Sequence, residues 1–362
     1  MSRLSLISGE ALAARLEDPS LLVLDVREPD EVAAWAFPGA LNVPLGELGA
    51  RLAELPGADE VVVVCAMGAR ASAGATLLRD AGWSASVLEG GMGAWSSTYD
   101  EVEGAIAGAT VVQVRRRGKG CLSYVVGAGE RCVVIDPSLA TERYRAIAAR
   151  HGWRVTHVLD THLHADHLSG ARALAAAAGA ELWLNPGDPF AFDFTPIRDG
   201  QAIELVPGVD LAVASVSVPG HTEGSTMYQL GRAAVFTGDT LFLESVGRPD
   251  LADEAEAYAR HLYRSLHERV LPLPDDVAVL PAHFGPGVEV RSGRFVTRPL
   301  GELRGRLEPL ALDEPGFVAW AVANVKDRPG NYRRIVGINA GHEPFGPEAG
   351  ELETGPNRCA IA

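Results

Sequence analysis

Four side chains that commonly bind metals lie within six consecutive positions of this 362-residue chain: His162, His164, Asp166 and His167. Imidazole and carboxylate groups are ligands of borderline divalent cations, so this crowding predicts a metal site. Two metal-binding histidines on a helix lie four positions apart, whereas His162 and His164 lie two apart. The segment is therefore expected on a loop or a strand end.

Other segments repeat the pattern of an apolar strand that leads into a candidate ligand. Apolar stretches end shortly before His221, Asp239 and His283, and one over 155–160 precedes the four-residue cluster. An alanine-rich helix is predicted over 168–178. One edge of a β-structure could gather these side chains around an ion. The remaining histidines lack the pattern and are interpreted as structural or exposed: His151, His157, His261, His267 and His342.

Cys65 is the second candidate for chemistry. It follows an apolar strand over 61–64 and begins a glycine-containing loop that ends at Arg70, before a predicted helix over 71–81. Loop N–H groups, the helix dipole and Arg70 would favour a thiolate, and hence a nucleophile. The alternative is a buried apolar cysteine. The other cysteines lack such a setting and are interpreted as structural: Cys121, Cys132 and Cys359.

Composition narrows the class of protein. The net charge of −15 argues against nucleic acid or an anionic membrane as a partner, since both attract basic surfaces. The first residues lack the long apolar stretch of a signal peptide, and no later run approaches a membrane span. Four scattered cysteines do not form a disulfide framework and fit a reducing compartment. A cytoplasmic location is expected.

The chain length predicts two or three domains. Residues 1–105 alternate short strands and helices, which is typical of an α/β domain. Residues 106–290 are richer in strands separated by Gly, Pro or Asp turns. In residues 291–362 the strand signals fade, and short helices are predicted over 314–324 and 331–338. This C-terminal extension is expected to pack on the preceding domain, because its apolar stretches are too short for a core of their own.

The first domain resembles the rhodanese family over nearly all of residues 5–98. The motifs that carry the resemblance are Leu24–Glu28, Phe37–Pro44, Cys65–Arg70 and Leu88–Trp95. Cysteine phosphatases share this fold but have one more residue between the cysteine and the arginine. The resemblance implies that Cys65 and Arg70 are catalytic, and that Cys65 holds a sulfane sulfur as a persulfide.

The segment from about 110 to 290 resembles the metallo-β-lactamase fold, an αββα sandwich with metal at one edge. The motifs are His162–His167, Gly220–Thr222, Thr237–Thr240 and Pro281–His283. Within that superfamily it is most similar to persulfide dioxygenases and to glutathione thioesterases of the glyoxalase II type. Both relatives use the same set of ligand positions.

The two relatives imply different metal sites. A persulfide dioxygenase would hold one Fe(II) per chain with His162, His221 and Asp239, leaving His164, Asp166, His167 and His283 as second-site or surrounding residues. A thioesterase would hold two Zn(II), with His162, His164 and His221 at one ion, Asp166, His167 and His283 at the other, and Asp239 between them.

Arg248 lies in a segment that lines the pocket of the dioxygenase relatives. The resemblance implies that Arg248 binds substrate, and the alternative is a pair with Asp250 that fixes the loop. Animal-type dioxygenases have a cysteine where this chain has Val246, and no tyrosine follows His283 closely. These two differences put the family's glutathione contacts in doubt.

The fusion favours the dioxygenase interpretation, because a sulfur-transfer domain would supply or use the same sulfur species. The expected reaction converts a low-molecular-weight persulfide, with glutathione persulfide as the expected substrate, and O₂ into sulfite and thiol. Cys65 would either draw sulfur from thiosulfate or combine sulfite with another persulfide. The alternatives are a dinuclear zinc thioesterase with an accessory rhodanese domain, and a non-enzymatic sulfur carrier or sensor. The sequence leaves a homodimer open.

Overall fold

A computed structural model describes residues 4–206, 208, 211–251, 254–325, 328, 330–346, 349–356 and 359–360. The chain forms two compact units, one built mainly from residues up to 100 and the other mainly from residues 101–353. The predicted boundary at residue 105 falls within the strand Tyr99–Ile106, and the three domain ranges stay predictions. Among the described residues, no helix is both long and apolar enough to cross a membrane.

The first unit contains a parallel five-stranded sheet. Its strands, in order across the sheet, are Ser5–Ile7, Ala85–Leu88, Glu60–Val64, Leu21–Asp25 and Leu41–Asn42. The helices are Gly9–Ala13, Pro29–Ala34, Leu45–Arg51, Ala69–Asp80 and Gly91–Trp95, with a short 3₁₀ turn at Leu52–Glu54. The central strands are mostly apolar, and Val61–Val64 are fully buried, as expected where helices cover both faces of a parallel sheet. The predicted α/β domain is confirmed.

The second unit contains two sheets. One has seven strands in the order Thr195–Pro196, Glu181–Leu184, Arg154–Leu159, Arg131–Ile135, Cys121–Ala128, Ala109–Arg116 and Tyr99–Ile106. The other has six in the order Ala202–Glu204, Ala212–Ser217, Thr226–Leu230, Ala234–Gly238, Ala278–Pro281 and Arg298–Pro299. Apolar side chains from both sheets form one large buried core, which confirms the predicted sandwich.

The helices of the second unit include both predicted C-terminal helices. They are Thr141–Arg150, Ala171–Ala178, Ala255–Arg264 with a π-helical continuation Ser265–Val270, Leu300–Arg306, a 3₁₀ turn Glu308–Ala311, Glu314–Ala323, Tyr332–Ala340 and Ala349–Leu352. Phe317 is fully buried in the main core, a burial that contributes about 1.5–3 kcal/mol. Ile335 and Ile338 pack beside Leu168. The extension therefore packs on this unit.

Strand direction brings the candidate ligands to sheet edges. The strands Arg131–Ile135 and Arg154–Leu159 are parallel neighbours in one sheet, and Ala234–Gly238 and Ala278–Pro281 are parallel neighbours in the other. Because parallel strands end at the same edge, the residues that follow them lie close together. The helix predicted from residue 168 begins at Ala171 instead. Leu168 and Ser169 precede it, and their N–H groups donate to the side chains of Glu353 and Asn339.

Candidate metal centre and cysteine loop

Three donor atoms with no hydrogen-bond partner face one another at the edge of the sandwich. Nε2 of His162 and Nε2 of His221 each lie 3.5 Å from Oδ2 of Asp239. All three side chains are buried, and none of these three atoms forms a hydrogen bond. Ligand atoms on one metal lie about 3–3.5 Å apart for bonds of about 2.0–2.2 Å. The three residues therefore fit a metal ion.

The second nitrogen of His162 has a specific partner. Asp136 accepts hydrogen bonds from the N–H of Thr161 at 2.6 Å and from its hydroxyl at 3.0 Å. Since that hydroxyl proton is directed to Asp136, the Thr161 oxygen accepts from Nδ1–H of His162 at 2.9 Å. This tautomer leaves the lone pair of Nε2 free for a metal.

The second nitrogen of His221 is oriented by the backbone of Arg248. Nδ1–H of His221 donates to that carbonyl oxygen at 2.9 Å, which again frees Nε2. The buried guanidinium of Arg248 forms a two-bond pair with Asp250, at 2.7 and 2.9 Å. The pair with Asp250, which was the alternative interpretation of Arg248, is thus present. The substrate-binding role of Arg248 stays a prediction.

Electrostatics keep these donors in their ligand forms. Burial lowers the pKa of both His162 and His221, so each is held as a neutral imidazole. Burial alone would raise the pKa of Asp239, but the nearby His283 and His162 outweigh it and hold that pKa below its ordinary value. Two neutral imidazoles and one carboxylate are the forms that bind a divalent metal.

A second group of donors lies next to the first. Cys121, Asp166, His167 and His283 are all buried, and their donor atoms lie within 4.8 Å of one another. Nδ1 of His283 also lies 2.6 Å from Oδ1 of Asp239, which joins the two groups. Asp166, His167 and His283 are thus brought together as expected for second-site residues.

Two of the cysteines interpreted as structural lie among the donor groups, which the sequence did not suggest. The Cys121 thiol belongs to the second donor group, and the Cys359 thiol lies within 4.8 Å of donor atoms of Asp239 and His283. Burial would raise the pKa of Cys121, yet His167 and His283 lower it to about 6. Cys132 is in none of the donor groups, and burial raises its pKa to about 12, which agrees with a structural role.

His164 joins neither donor group. Its Nε2 lies 3.2 Å from Asp136 and 3.7 Å from Asp160, and these three residues form a separate buried donor group. The ring of His164 lies 4.2 Å from that of His162, and its Nδ1 has no hydrogen-bond partner. Burial would lower the pKa of His164, but these two carboxylates raise it well above the ordinary value. The five histidines interpreted as structural or exposed are in none of the described donor groups.

Several residues that support the ligand loops were missed from the sequence. Asp136 has a φ of +53°, which is uncommon for a residue with a side chain, and it follows the strand Arg131–Ile135. An apolar strand followed by Asp-Pro is the same pattern used for the other ligands and could have identified it. Asp188 accepts from the N–H of Leu163 at 2.8 Å and from the Thr222 hydroxyl at 2.9 Å, which ties the loops of His162 and His221 together.

The C-terminal extension also holds the ligand loop. The amide group of Asn339 donates to the carbonyl oxygens of His164 and His167, at 2.9 and 2.8 Å, and accepts from the N–H of Ser169 at 3.0 Å. No local sequence signal links residue 339 to this loop. The contact gives the extension a structural role in the centre.

The cysteine loop of the first unit is compact. The N–H of Gly68 donates to Sγ of Cys65 at 3.0 Å, and Gly68 adopts a left-handed conformation (φ +103°) just before the helix Ala69–Asp80. Gly91 packs against this loop so closely that an added Cβ would lie 2.2 Å from the Cys65 carbonyl oxygen. The turn at residue 91 therefore requires glycine.

Arg70 has a partner that the sequence did not suggest. Its guanidinium forms two bonds to Glu31, at 2.5 and 2.7 Å. Arg70 in turn lowers the pKa of Glu31 to about 2. Glu31 thus already neutralises the charge of Arg70 that was expected to favour a thiolate at Cys65. The catalytic role of Arg70 stays a prediction.

Comparison with known proteins agrees with both halves of the fold. Residues 8–98 match the rhodanese-like domain family, and residues 116–283 match the metallo-beta-lactamase superfamily. The chain is 34% identical over 185 residues to a hydroxyacylglutathione hydrolase of Methylococcus capsulatus, covering 50% of this chain and 68% of that protein. It is 32% identical over 178 residues to the mitochondrial persulfide dioxygenase ETHE1 of Bos taurus, and the match covers 48% of this chain and 67% of that protein.

A solved structure shows the same likeness. ETHE1 from Myxococcus xanthus is 27% identical, with a TM-score of 0.55 over 64% of this chain and 98% of that one. Fold and donor groups together define a metal-binding αββα sandwich that follows a rhodanese-like domain. The chain belongs to the metallo-β-lactamase superfamily, in which the relatives named above are enzymes.

Proposed function

We propose that the chain is a persulfide dioxygenase. It would convert a low-molecular-weight thiol persulfide, with glutathione persulfide as the expected substrate, O₂ and water into sulfite and the free thiol. The S–S bond breaks, O₂ oxidises the sulfane sulfur, and water supplies the third oxygen of sulfite and the proton of the thiol. The observation that carries this proposal is the three-donor group of His162, His221 and Asp239. Two histidines and one carboxylate with open positions are typical of non-haem Fe(II) oxygenases.

The membership of the donor group supports one catalytic metal in place of a dinuclear pair. A dinuclear zinc site would need His164 as a third imidazole at the ion of His162 and His221. The ring of His164 lies 4.2 Å from that of His162, but among the described residues the donor group holds His162, His221 and Asp239 without it. Three protein ligands leave room for substrate and O₂.

The chain's own residues would prepare this site in two ways. Asp136 and Thr161 fix the tautomer of His162, and the Arg248 carbonyl fixes that of His221, so both Nε2 atoms remain deprotonated. Burial screens the donors from bulk solvent. Fe(II) held by the three donors would supply open positions for the substrate sulfur and for O₂.

The rhodanese-like domain supports a sulfur substrate. We propose that the Cys65 thiolate attacks the sulfane sulfur of thiosulfate, so that a Cys65 persulfide forms as the S–S bond of thiosulfate breaks and sulfite leaves. The reverse direction joins sulfite to a persulfide sulfur and returns the thiolate. The N–H of Gly68, already 3.0 Å from Sγ, would stabilise the anionic sulfur in either direction.

The four cysteines form no disulfide, which supports a cytoplasmic location.

A dinuclear zinc thioesterase is the second candidate. The 34% identity to a hydroxyacylglutathione hydrolase favours it, as does the proximity of Asp166, His167 and His283. The fusion to a rhodanese-like domain has no clear use in thioester hydrolysis, and this weighs against it.

Metal analysis together with oxygen uptake distinguishes these functions. We expect about one iron per chain in the purified protein, and uptake of O₂ with sulfite formation when glutathione persulfide is added. Zinc without oxygen uptake, together with hydrolysis of a glutathione thioester, would establish the thioesterase. The absence of both activities would support a sulfur carrier or sensor. The His221→Ala variant is the control, because oxygen uptake that persists in it cannot arise at the proposed site.

A further inference from the structure

A thiol near the C-terminal end of the chain lies beside the candidate metal centre. The Cys359 side chain is buried, and its sulfur lies within 4.8 Å of donor atoms of Asp239 and His283. We propose that Cys359 takes the sulfane sulfur from a low-molecular-weight persulfide, and that the resulting Cys359 persulfide is the species that O₂ oxidises. This proposal rests on the dioxygenase function proposed above and names the form in which its substrate sulfur is held.

Backbone pairing fixes Cys359 at this position. The N–H of Arg248 donates to the carbonyl oxygen of Cys359 at 3.0 Å. The next residue, Ala360, forms an antiparallel bridge with Gly247. Gly247 is in turn packed on a ligand, since an added Cβ would overlap the carbonyl oxygen of Asp239. The same short segment, 247–248, therefore holds the backbone of Cys359 and packs against the metal-binding aspartate.

The Cys359 thiol lies beside the three-donor group without belonging to it. It shares Asp239 with that group, but among the described residues it is not grouped with His162 or His221. A sulfane sulfur bonded to Sγ extends the side chain by about 2.05 Å. The added sulfur can therefore lie closer to the three donors than the thiol sulfur does, which is what oxidation at this centre requires.

The residue expected to bind a free substrate is already engaged by a carboxylate. The buried guanidinium of Arg248 forms two bonds to Asp250, and Arg328 forms another to the same carboxylate at 2.9 Å. A carboxylate of glutathione would have to displace Asp250 from both arginines. A sulfur bonded to Cys359 needs no such contact, because the covalent bond itself holds it next to the donors.

The two steps balance with the reactants already named. In the first, the Cys359 sulfur attacks the sulfane sulfur of the persulfide R–S–SH. The S–S bond of the donor breaks, a new S–S bond forms at Cys359, and the thiol proton passes to the leaving RS⁻. In the second, O₂ takes the electrons that the outer sulfur loses, the S–S bond at Cys359 breaks, and water supplies the third oxygen of sulfite and the proton of the restored thiol. Their sum is the conversion proposed above.

Cys121 is the other buried thiol near His283 and serves as a comparison. Its donor group contains Asp166 and His167 but not Asp239. Among the described cysteines, Cys359 alone shares a ligand with the three-donor group. We therefore assign the sulfur to Cys359.

Mass spectrometry of an anaerobic loading tests the assignment. Burial raises the pKa of the Cys359 thiol in the metal-free chain, whereas a nearby metal favours the thiolate, so the iron-loaded full chain is used. It carries Cys65→Ser, so that no sulfur is held at residue 65. Glutathione persulfide is added without O₂, small molecules are removed, and the chain is unfolded, alkylated and cleaved after Glu353. We expect an additional sulfur on the peptide that contains Cys359, and none on those of Cys121 and Cys132.

Admission of O₂ to the loaded protein is the second half of this experiment. Since no free persulfide remains, we expect sulfite to form in proportion to the bound sulfur, and the peptide of Cys359 to return to its unmodified mass. This readout does not depend on turnover.

Cys359→Ser is the matched variant for turnover. We expect oxygen uptake with glutathione persulfide to fall at least about 100-fold, since removal of a nucleophile costs more than this in other enzymes. The iron content stays unchanged, because Cys359 is not in the three-donor group. Cys132→Ser is the control and keeps both the oxygen uptake and the added sulfur on Cys359.

Three outcomes would overturn the proposal while leaving the dioxygenase function intact. They are undiminished oxygen uptake in Cys359→Ser, a loaded chain without added sulfur on Cys359, and an added sulfur that O₂ does not release as sulfite. The absence of oxygen uptake by the wild-type chain would instead overturn the dioxygenase function, and this proposal with it. If Cys359→Ser loses iron or does not fold, the peptide masses and the sulfite from the Cys65→Ser chain decide alone.

Discussion

The cysteine loop and the metal centre both lie at strand ends, but they are built over very different lengths of chain. The loop is contiguous: the N–H of Gly68 donates to Cys65, and Arg70 lies in the first turn of the helix that follows. The three-donor group takes His162, His221 and Asp239 from segments that are far apart in sequence. The loop is thus encoded locally, and the centre depends on the fold of the whole sandwich.

This difference separates the residues that do chemistry from those that position them. In the loop, the N–H of Gly68 donates to Sγ of Cys65 itself. In the centre, Asp136, Asp188 and Asn339 are in no contact that requires a metal, yet each fixes a ligand or a ligand loop. Substitutions around the metal centre should therefore lower iron affinity or stability by different amounts. In the loop, by contrast, substitution of Cys65 alone should abolish sulfurtransferase activity.

The largest effect is expected when a ligand is removed. Asp239→Asn keeps the shape of the side chain but removes its charge, so we expect iron affinity to fall by more than about 100-fold, beyond the cost of outer-shell changes. Oxygen uptake with a persulfide is lost, while thiosulfate sulfurtransferase activity is unchanged. Metal analysis and both assays on one preparation check this. If Asp239→Asn lost both activities, the prediction that the two sites act independently would be wrong.

The reciprocal change is Cys65→Ser. We expect sulfurtransferase activity to fall by at least about 10³-fold, as when a nucleophile is removed from other enzymes. Oxygen uptake with added persulfide and the iron content stay at wild-type levels. Cys132→Ser, another buried free cysteine, should change neither activity. A Cys65→Ser variant with full sulfurtransferase activity would remove the proposed role of Cys65.

A smaller effect is expected at a positioning residue. Asn tolerates the left-handed conformation of residue 136, so Asp136→Asn keeps the backbone but offers Thr161 an NH₂ group where a carboxylate oxygen accepted its proton. The His162 tautomer is then no longer fixed, and iron affinity should fall by about 10–100-fold. The exposed Asp199→Asn is the control. Unchanged iron affinity would show that the Asp136–Thr161–His162 chain does not prepare the ligand.

The C-terminal support is tested through stability. Asn339→Ala leaves two carbonyl oxygens and one N–H of the ligand loop without their partner, a loss of about 1–3 kcal/mol in the free energy of unfolding. Urea unfolding of the metal-free full chain measures it. In the control Asn324→Ala, only a bond to Trp320 within one helix is lost. Equal effects of the two variants would mean that the loop does not depend on Asn339.

The sequence predicted which strand ends meet because histidine and aspartate follow apolar stretches there, and it predicted the fold through the resemblance that these motifs carry. His162, His221, Asp239 and His283 each follow an apolar strand, and the structure brings all four to the centre. Local signals also predicted the helix after Cys65 and both C-terminal helices, with ends that differ by only a few residues.

The rest could not be predicted, because it depends on contacts through space. Nothing near Cys121 in the sequence suggests a ligand, and only the pairing of its strand with the end of another places it beside His283. Arg70 was expected to act on the cysteine beside it, but its partner Glu31 lies 39 positions earlier. Local sequence specifies the identity of a group, and tertiary packing specifies what that group faces.

The smallest effect concerns the Arg70–Glu31 pair, whose side chains are about one-third exposed. Arg70 lowers the Glu31 pKa from 4.5 to about 2, so the pair contributes fully above pH 4.5 and is lost as the pH falls toward 2. Because solvent screens such pairs, the contribution is about 0.2–1 kcal/mol. Glu31→Gln should reduce the loss of stability over this pH range, measured by thermal unfolding, whereas Glu47→Gln, from an exposed helical pair with Arg51, should reduce it less. An unchanged pH dependence in Glu31→Gln would mean that Arg70 is not held by this carboxylate in solution. Arg70 would then be a free cation beside the Cys65 loop, in contrast with the buried side chains of the metal centre.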